Sequence, residues 1–197
     1  MDHAEAQAPS PQIPDARKLF RRVTEVITET VVDELELWAE EIRDEFVERI
    51  EAQAFAAFQV VLYPESGTNL SPQWLARKEA ADADERTMIA TGHYTRSIKV
   101  YKKFDRKQKK WIIRVGFHPR IQARDLKNRI VAILLDDVAL VQEFGSIKAQ
   151  IPARPHWRPH RDTVKKEASA KRKELGRAAL RAVKRDRSFK KLAVGVR

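Results

Sequence analysis

The chain has 197 residues, of which 43% are hydrophobic and 34% charged, with a formal net charge of +11 and no cysteine. Disulfides and thiolate metal sites are therefore excluded, and no apolar run approaches the roughly 20 residues that a membrane span needs. Residues 1–14 lack the basic-then-apolar order of a secretion signal, so synthesis in the cytosol is expected. This length suits one compact domain with extensions, or two small domains. The distribution of charge is more informative than its sum. Residues 1–60 carry 14 acidic and 6 basic side chains, and the remaining 137 residues carry 14 acidic and 33 basic. Such polarity fits self-association of opposite ends, an acidic partner such as DNA, or simply solvated helix faces.

Residues 1–14 contain Pro9, Pro11 and Pro14 among small and polar residues and are expected to form a flexible arm. Asp15 is placed to cap a helix. Leu19, Val23, Ile27, Val31, Leu35, Trp38, Ile42, Phe46 and Ile50 follow at steps of three or four, which puts one apolar stripe on one helix face. No Gly or Pro interrupts the segment before Tyr63, so an unbroken helix would be about 44 residues and roughly 66 Å long. A break near Glu51 is the alternative. The turn residues Tyr63-Pro64-Glu65-Ser66-Gly67 end this region. Ser71 followed by Pro72 then reads as an N-cap with proline at the first helical position, opening a short helix to about Asp84.

After Thr91-Gly92 the period changes to two. Ile98, Val100 and Lys102 alternate with Lys99 and Tyr101, and Trp111, Ile113, Val115 and Phe117 alternate with Ile112, Arg114 and Gly116. The charged run 105–110 joins them as a β-hairpin. Leu126, Ile130, Ile133, Leu134, Val138 and Val141 return to helical spacing, and Gly145 stops that helix. A proline-rich stretch leads to residues 161–197, which hold 14 basic and 4 acidic residues. A basic helix to about Arg185 is expected there.

Catalytic chemistry finds little support. His156 and His160 stand four apart, but Pro155 and Pro159 are expected to break any helix that would align them on a metal. Asp136 and Asp137 would diverge on a helix. Phosphate-cradling glycine loops and nucleophile elbows are absent from the sequence. No catalytic residue, cofactor or metal is expected. The basic segments suit electrostatic, sequence-blind contact with DNA or with an acidic partner. The residues concerned are Lys107, Lys109 and Lys110 at the hairpin tip and Lys171, Arg172, Lys173, Arg177, Arg181, Lys184 and Arg185 in the C-terminal segment.

Three motifs in fixed order carry a resemblance. Trp74 and Lys78 lead to Ile89-Ala90-Thr91-Gly92-His93-Tyr94-Thr95-Arg96-Ser97-Ile98; the strand pair follows; then come Val141-Gln142-Glu143-Phe144-Gly145 and Ile151-Pro152-Ala153-Arg154-Pro155-His156-Trp157-Arg158-Pro159. Over roughly residues 60–165 the chain resembles the tail-completion, or virion-morphogenesis, family of phage head–tail joining (neck, connector) proteins. Tyr94 stands where leucine is common in that family, and His156-Trp157 replaces the usual aromatic–aliphatic pair. The long acidic helix and basic tail are additions.

The resemblance implies a non-enzymatic virion protein at the head–tail junction. It would form a homo-oligomeric ring, a hexamer matching the tail tube, around the DNA channel. Its partners would be neighbouring neck, portal-side and tail-tube proteins, with non-specific contact to packaged DNA and no membrane. The motif residues Thr91, Gly92, Ser97, Glu143, Phe144, Gly145, Pro152, Arg154, Pro155, Trp157, Arg158 and Pro159 are then assembly elements. Glu143 and Arg154 suit a charge-assisted pair across the turn or between subunits, the prolines brace an extended segment, and Trp157 is a core or interface anchor. The expected architecture is α+β: a long N-terminal helix, a small antiparallel sheet with a packed helix, and a basic C-terminal helix. A joining domain over 15–160 and a basic extension over 161–197 are expected. The alternative is a sequence-independent nucleic-acid-binding protein acting through the basic C-terminal helix.

Overall fold

A computed structural model of the chain describes residues 16–65, 67, 70–84, 86, 92–127, 129–148 and 151–186. The expected arm over 1–14, Thr91 and the tail beyond 186 lie outside the described residues. The fold is α+β, as the periodicities indicate. In chain order the elements are α1 (Ala16–Glu51), α2 (Ala56–Gln59), α3 (Pro72–Glu79), α4 (His93–Arg96), β1 (Lys99–Asp105), β2 (Lys110–Gly116), β3 (Gln122–Arg124), β4 (Ile130–Leu134), α5 (Leu135–Phe144) and α6 (Trp157–Arg185).

The chain divides into two units, 1–34 with 170–197, and 35–169, so that α1 and α6 each give a segment to both. In the first unit Val26, Val32, Ala178 and Ala179 are buried, and the Arg22 guanidinium meets the Asp186 carboxylate through two 3.2 Å hydrogen bonds. Alanines at 178 and 179 leave room for close approach, which suits a helix with few large apolar side chains.

The second unit holds the main core. The α1 stripe enters it at Phe46 and Ile50, both fully buried. The helix ends at Glu51, the alternative weighed above. Gln53 there takes a left-handed φ of +53°, and its side-chain amide donates to the Ile50 carbonyl at 2.7 Å, closing the end of the helix. Phe55 and Phe58 on and beside α2 then return to Phe46, with Phe46 and Phe55 edge to face at 5.8 Å. Ser71 caps α3 as expected, its hydroxyl accepting from the Trp74 amide with Pro72 at the first position.

β1 and β2 form the expected antiparallel hairpin, in the register Lys99↔Gly116 through Phe104↔Trp111 to Asp105↔Lys110. Asp105 Oδ1 accepts from the amides of Lys107 and Gln108 and holds the tip.

The next segment corrects the helical reading of residues 126–134. Ile130-Val131-Ala132-Ile133-Leu134 is a strand, paired with β3 through Gln122↔Leu134 and Arg124↔Ile130. A short apolar run fits helical and strand periods alike, and three β-branched residues tip it towards the strand. Asp125 and Arg129 clamp the turn: the Asp125 amide donates to the Arg129 carbonyl at 2.9 Å, and the Asp125 carboxylate accepts from the Arg129 amide at 2.8 Å and from its Nε at 2.7 Å. Only from Leu135 does the helical spacing take over as α5, burying Leu135 and Ala139.

A second correction concerns α6, which begins at Trp157 and includes Pro159 in its first turn. Proline is tolerated there because the third residue of a helix has no intrahelical partner for an N–H. The sequence reading took Pro159 as part of an extended segment and so started the helix at 161.

Candidate functional site

The Glu143-to-Pro159 segment folds into one cluster around the start of α6. Glu143, on the last turn of α5, is 4% exposed. Its Oε2 accepts from the amides of His156 (2.9 Å) and Trp157 (3.0 Å), and its Oε1 from the amide of Arg158 (3.1 Å) and the Arg158 Nε (2.9 Å). A carboxylate offers about four lone-pair positions, and all four are used. The donors His156, Trp157 and Arg158 are the N–H groups that a helix start leaves unsatisfied, and the fourth position is Pro159, which has none. One side chain and one proline therefore satisfy the whole N-terminus of α6. The negative charge also lies at the positive end of the helix dipole.

Burial by itself would raise the Glu143 pKa. The His156 amide, the Arg158 side chain and the other two amides outweigh it and hold the carboxyl below its ordinary 4.5.

The expected Glu143–Arg154 pair does not form across the turn. Arg158 takes that place, with its guanidinium also 4.7 Å over the Phe144 ring. Arg154, 5% exposed, turns to Gln142: its amide donates to the Gln142 carbonyl at 2.6 Å and its Nη1 approaches Gln142 Oε1 at 3.4 Å. This backbone bond shows why Arg154 is elsewhere. Residues 151–154 run back over the end of α5, and Ser146 and Ile151 exchange two hydrogen bonds at 2.8 and 2.9 Å to close the loop. Gly145 lies beneath the crossing with φ +76°, and a Cβ there would sit 2.8 Å from the Ile151 oxygen and 2.9 Å from the Ala153 nitrogen. Both are backbone atoms and cannot swing aside.

Below this crossing, polar groups thread an aromatic core. His156 is fully buried, with Nδ1 2.9 Å from the Arg154 carbonyl and Nε2 2.8 Å from the Tyr94 hydroxyl. A carbonyl only accepts, so the proton is on Nδ1 and Nε2 accepts from Tyr94. The Tyr94 oxygen in turn accepts from Trp157 Nε1 at 3.0 Å. The chain of donors is Trp157 to Tyr94 to His156 to the Arg154 carbonyl. Burial lowers the His156 pKa, against the opposing pull of the Arg154 carbonyl and Glu143, and raises that of Tyr94 far above its ordinary range. Both groups stay neutral. His160, 4% exposed, donates to the Ile42 carbonyl at 3.1 Å and stacks on Phe46 at 4.7 Å, and burial lowers its pKa too. The two histidines are held as neutral core residues, and among the described residues no group of three or more His, Cys, Asp or Glu is placed to hold a metal.

The other expected residues fall in several places. Gly92 takes a left-handed φ of +64° just before α4, and Ser97 closes that helix, buried, with Oγ 3.4 Å from His93 Nδ1. Trp157 packs half-buried against the core, 4.3 Å from Phe46, which agrees with its reading as a core anchor. Pro152 and Pro155 are half-buried, while Phe144 and Pro159 are exposed. Lys78 is 2% exposed and its Nζ donates to the carbonyls of Asp84 (2.8 Å) and Arg86 (2.6 Å), tying down that loop. Lys107, Lys109 and Lys110 are exposed on the hairpin. Arg172, Lys173, Arg177, Arg181, Lys184 and Arg185 are exposed along α6 in the other unit, where Lys171 is half-buried and 3.5 Å from Glu174.

Two roles escaped the sequence reading. From sequence Tyr94 is only a departure from the family pattern, and His156 is another departure and a disfavoured metal ligand, yet they touch each other; their joint departure is the available signal. Around the cluster, Leu62, Tyr63, Phe144, Ile147, Ile151 and Pro152 line an open groove of about 490 Å³. Phe144 is 60% and Ile147 100% exposed. Comparison with family models, curated proteins and solved structures returns no match.

Two outcomes follow from this geometry. Gly145→Ala is expected to destabilise the fold by about 2 kcal/mol or more, measured by urea denaturation, because a left-handed φ and a backbone clash coincide. For pH, the lowered pKa values of His156 and His160 mean that the unfolded chain binds protons the folded one does not. Stability should fall as pH drops below the ordinary 6.5 of these imidazoles. A further loss should begin below 4.5 as Glu143 protonates. Urea midpoints from about pH 8 to 3 check this: Glu143→Gln, less stable by about 2–3 kcal/mol at neutral pH, should show a smaller acid step, since Asp84 and Asp125 are also lowered, and keep the imidazole one.

Proposed function

We propose that the chain is a structural subunit of a tailed-bacteriophage particle, a member of the head–tail joining class that assembles as a ring, a hexamer, around the DNA channel. It would act mechanically, completing or sheathing the neck between portal-side and tail-tube proteins, and would reside in the virion after synthesis in the host cytoplasm. The motif order supports this reading, and so does the nature of the motif residues. Gly145, Glu143, Arg154 and Arg158 close and brace a loop, and none of them is arranged for catalysis. The observation that carries it is the exposed apolar rim of that braced loop. Phe144 and Ile147, with Leu62 (38% exposed) lining the same groove, leave large apolar side chains in water. Clustered apolar exposure of this kind marks surfaces that other subunits cover, and a heterologous contact of this patch with a different surface of the next copy would build a ring where its rotation closes.

A second reading, DNA binding through the C-terminal helix, is favoured by one observation: Lys173, Arg177, Arg181 and Lys184 are all exposed at helical spacing. Deleting residues 161–197 would not test it cleanly, since α6 is rooted in the core at His160 and Phe46; neutralising those four cations would.

Mass photometry of the full chain is expected to show a species six times the 22.8 kDa protomer mass. Phe144→Glu with Ile147→Glu should reduce it to monomers with little change in melting temperature. Monomers alone from the wild-type chain, with and without neighbouring neck and tail-tube proteins, would sink the proposal.

A further inference from the structure

The hairpin register places a second set of cations beside those at the tip. Successive residues of a strand point to opposite faces. The pairs Lys99↔Gly116, Tyr101↔Arg114, Lys103↔Ile112 and Asp105↔Lys110 therefore share one face, and Val100, Lys102, Phe104, Trp111, Ile113 and Val115 share the other. The second face is the apolar one, with Phe104 and Trp111 in ring contact at 5.2 Å and Lys102 bonded to Glu36 of α1 at 2.6 Å. The first face is open. Lys99, Lys103, Lys110 and Arg114 are exposed on it, and Arg106, Lys107 and Lys109 extend it around the tip. Its one acid, Asp105, is occupied by two tip amides. Among the described residues none of these seven cations has a carboxylate partner; Arg114 donates to the Phe117 carbonyl at 2.5 Å, which holds its guanidinium in place.

We infer that this face of the β1–β2 ribbon binds the phosphate backbone of duplex DNA without regard to sequence. Lys99 and Lys103 on one strand are spaced by about 14 Å, and the facing strand supplies Lys110 and Arg114 beside them. A duplex presents a charge about every 1.7 Å along its axis, so several phosphates fall within reach of such a row, and a two-stranded ribbon fits the roughly 12 Å major groove between the backbones. The aromatic pair that would stack unpaired bases is on the opposite face, which disfavours a single strand. On this face cations outnumber the two large apolar side chains, half-buried Tyr101 and exposed Ile112, and the depletion of charge that marks the centre of a protein interface is missing, which disfavours an acidic protein. No Asn or Gln lies along the strands of the basic face to read adenine, and the better-fixed Arg114 is committed to a carbonyl, so sequence reading is not supported. The inference stands on the ribbon alone and does not need the ring.

Fluorescence anisotropy of the full chain with a labelled duplex of arbitrary sequence tests it across a salt series. Wild-type affinity should fall steeply with salt. Neutralising four ribbon cations (Lys99→Gln, Lys103→Gln, Lys107→Gln, Lys110→Gln) should flatten the slope of log affinity against log salt by about 3–4. The α6 set Lys173→Gln, Arg177→Gln, Arg181→Gln and Lys184→Gln should keep most of that slope. Circular dichroism and melting temperature verify folding, and the tip pair Lys107→Gln with Lys109→Gln, flattening the slope by about 2, replaces the fourfold variant if that one is unfolded. No duplex binding by the wild type, an unchanged slope in the ribbon variants, preference for a single strand, or equal binding of polyglutamate would each overturn the inference. Monomers alone from the wild type while duplex binding persists would count against the ring alone.

Discussion

A single buried carboxylate organises the middle of this protein. Glu143 ends one helix and begins another: it sits on the last turn of α5 and takes the first three N–H groups of α6, with the Arg158 guanidinium as fourth donor. An anion removed from water is tolerated only when its lone pairs are filled, and here they are. The constraint propagates outward. The chain between the two helices has to leave α5, turn and arrive at the carboxylate within a dozen residues. It does so by crossing its own backbone over Gly145, the one residue whose missing Cβ permits the approach.

The same constraint explains the polar thread in the core. Starting α6 at Trp157 carries His156 and Trp157 inward among Phe46, Phe55, Phe58 and Phe117. Their ring nitrogens then need partners where there is no water. Tyr94, brought in by α4, supplies one hydroxyl that accepts from one and donates to the other. A leucine at position 94 would leave His156 Nε2 and Trp157 Nε1 without this partner. Tyr94, His156 and Trp157 are in this sense one polar unit.

Much of the fold was legible from spacing: the α1 stripe at Phe46 and Ile50, the hairpin from its period of two, the Ser71 cap, the Gly145 stop. What was not legible has physical causes. The run Ile130–Leu134 is too short for periodicity to separate strand from helix, and its pairing with β3 is a tertiary fact. Arg154 and Arg158 look equally able to meet Glu143, and only the start of α6 decides between them. Pro159 was taken as a helix breaker because its harmlessness depends on being third in the helix, a position fixed by the glutamate twelve and more residues earlier. At the hairpin, the tip cations were visible as a run, while Lys99, Lys103 and Arg114 joined them only through register. In the candidate segment, Gly145 and Glu143 were singled out from sequence, but their partners were not.

In the proposed assembly Phe144 would be presented from the last turn of α5, next to the carboxylate that holds the start of α6. Whether Glu143 does pin the start of α6 is open to direct measurement. Native-state hydrogen exchange of the His156, Trp157 and Arg158 amides reads it residue by residue. If the carboxylate holds them, these amides exchange only with global unfolding in the wild type, and in Glu143→Gln they exchange by local opening while amides in mid-α6 keep their protection relative to the variant's own stability. Rapid exchange of all three in the wild type, as in a frayed helix end, would contradict it.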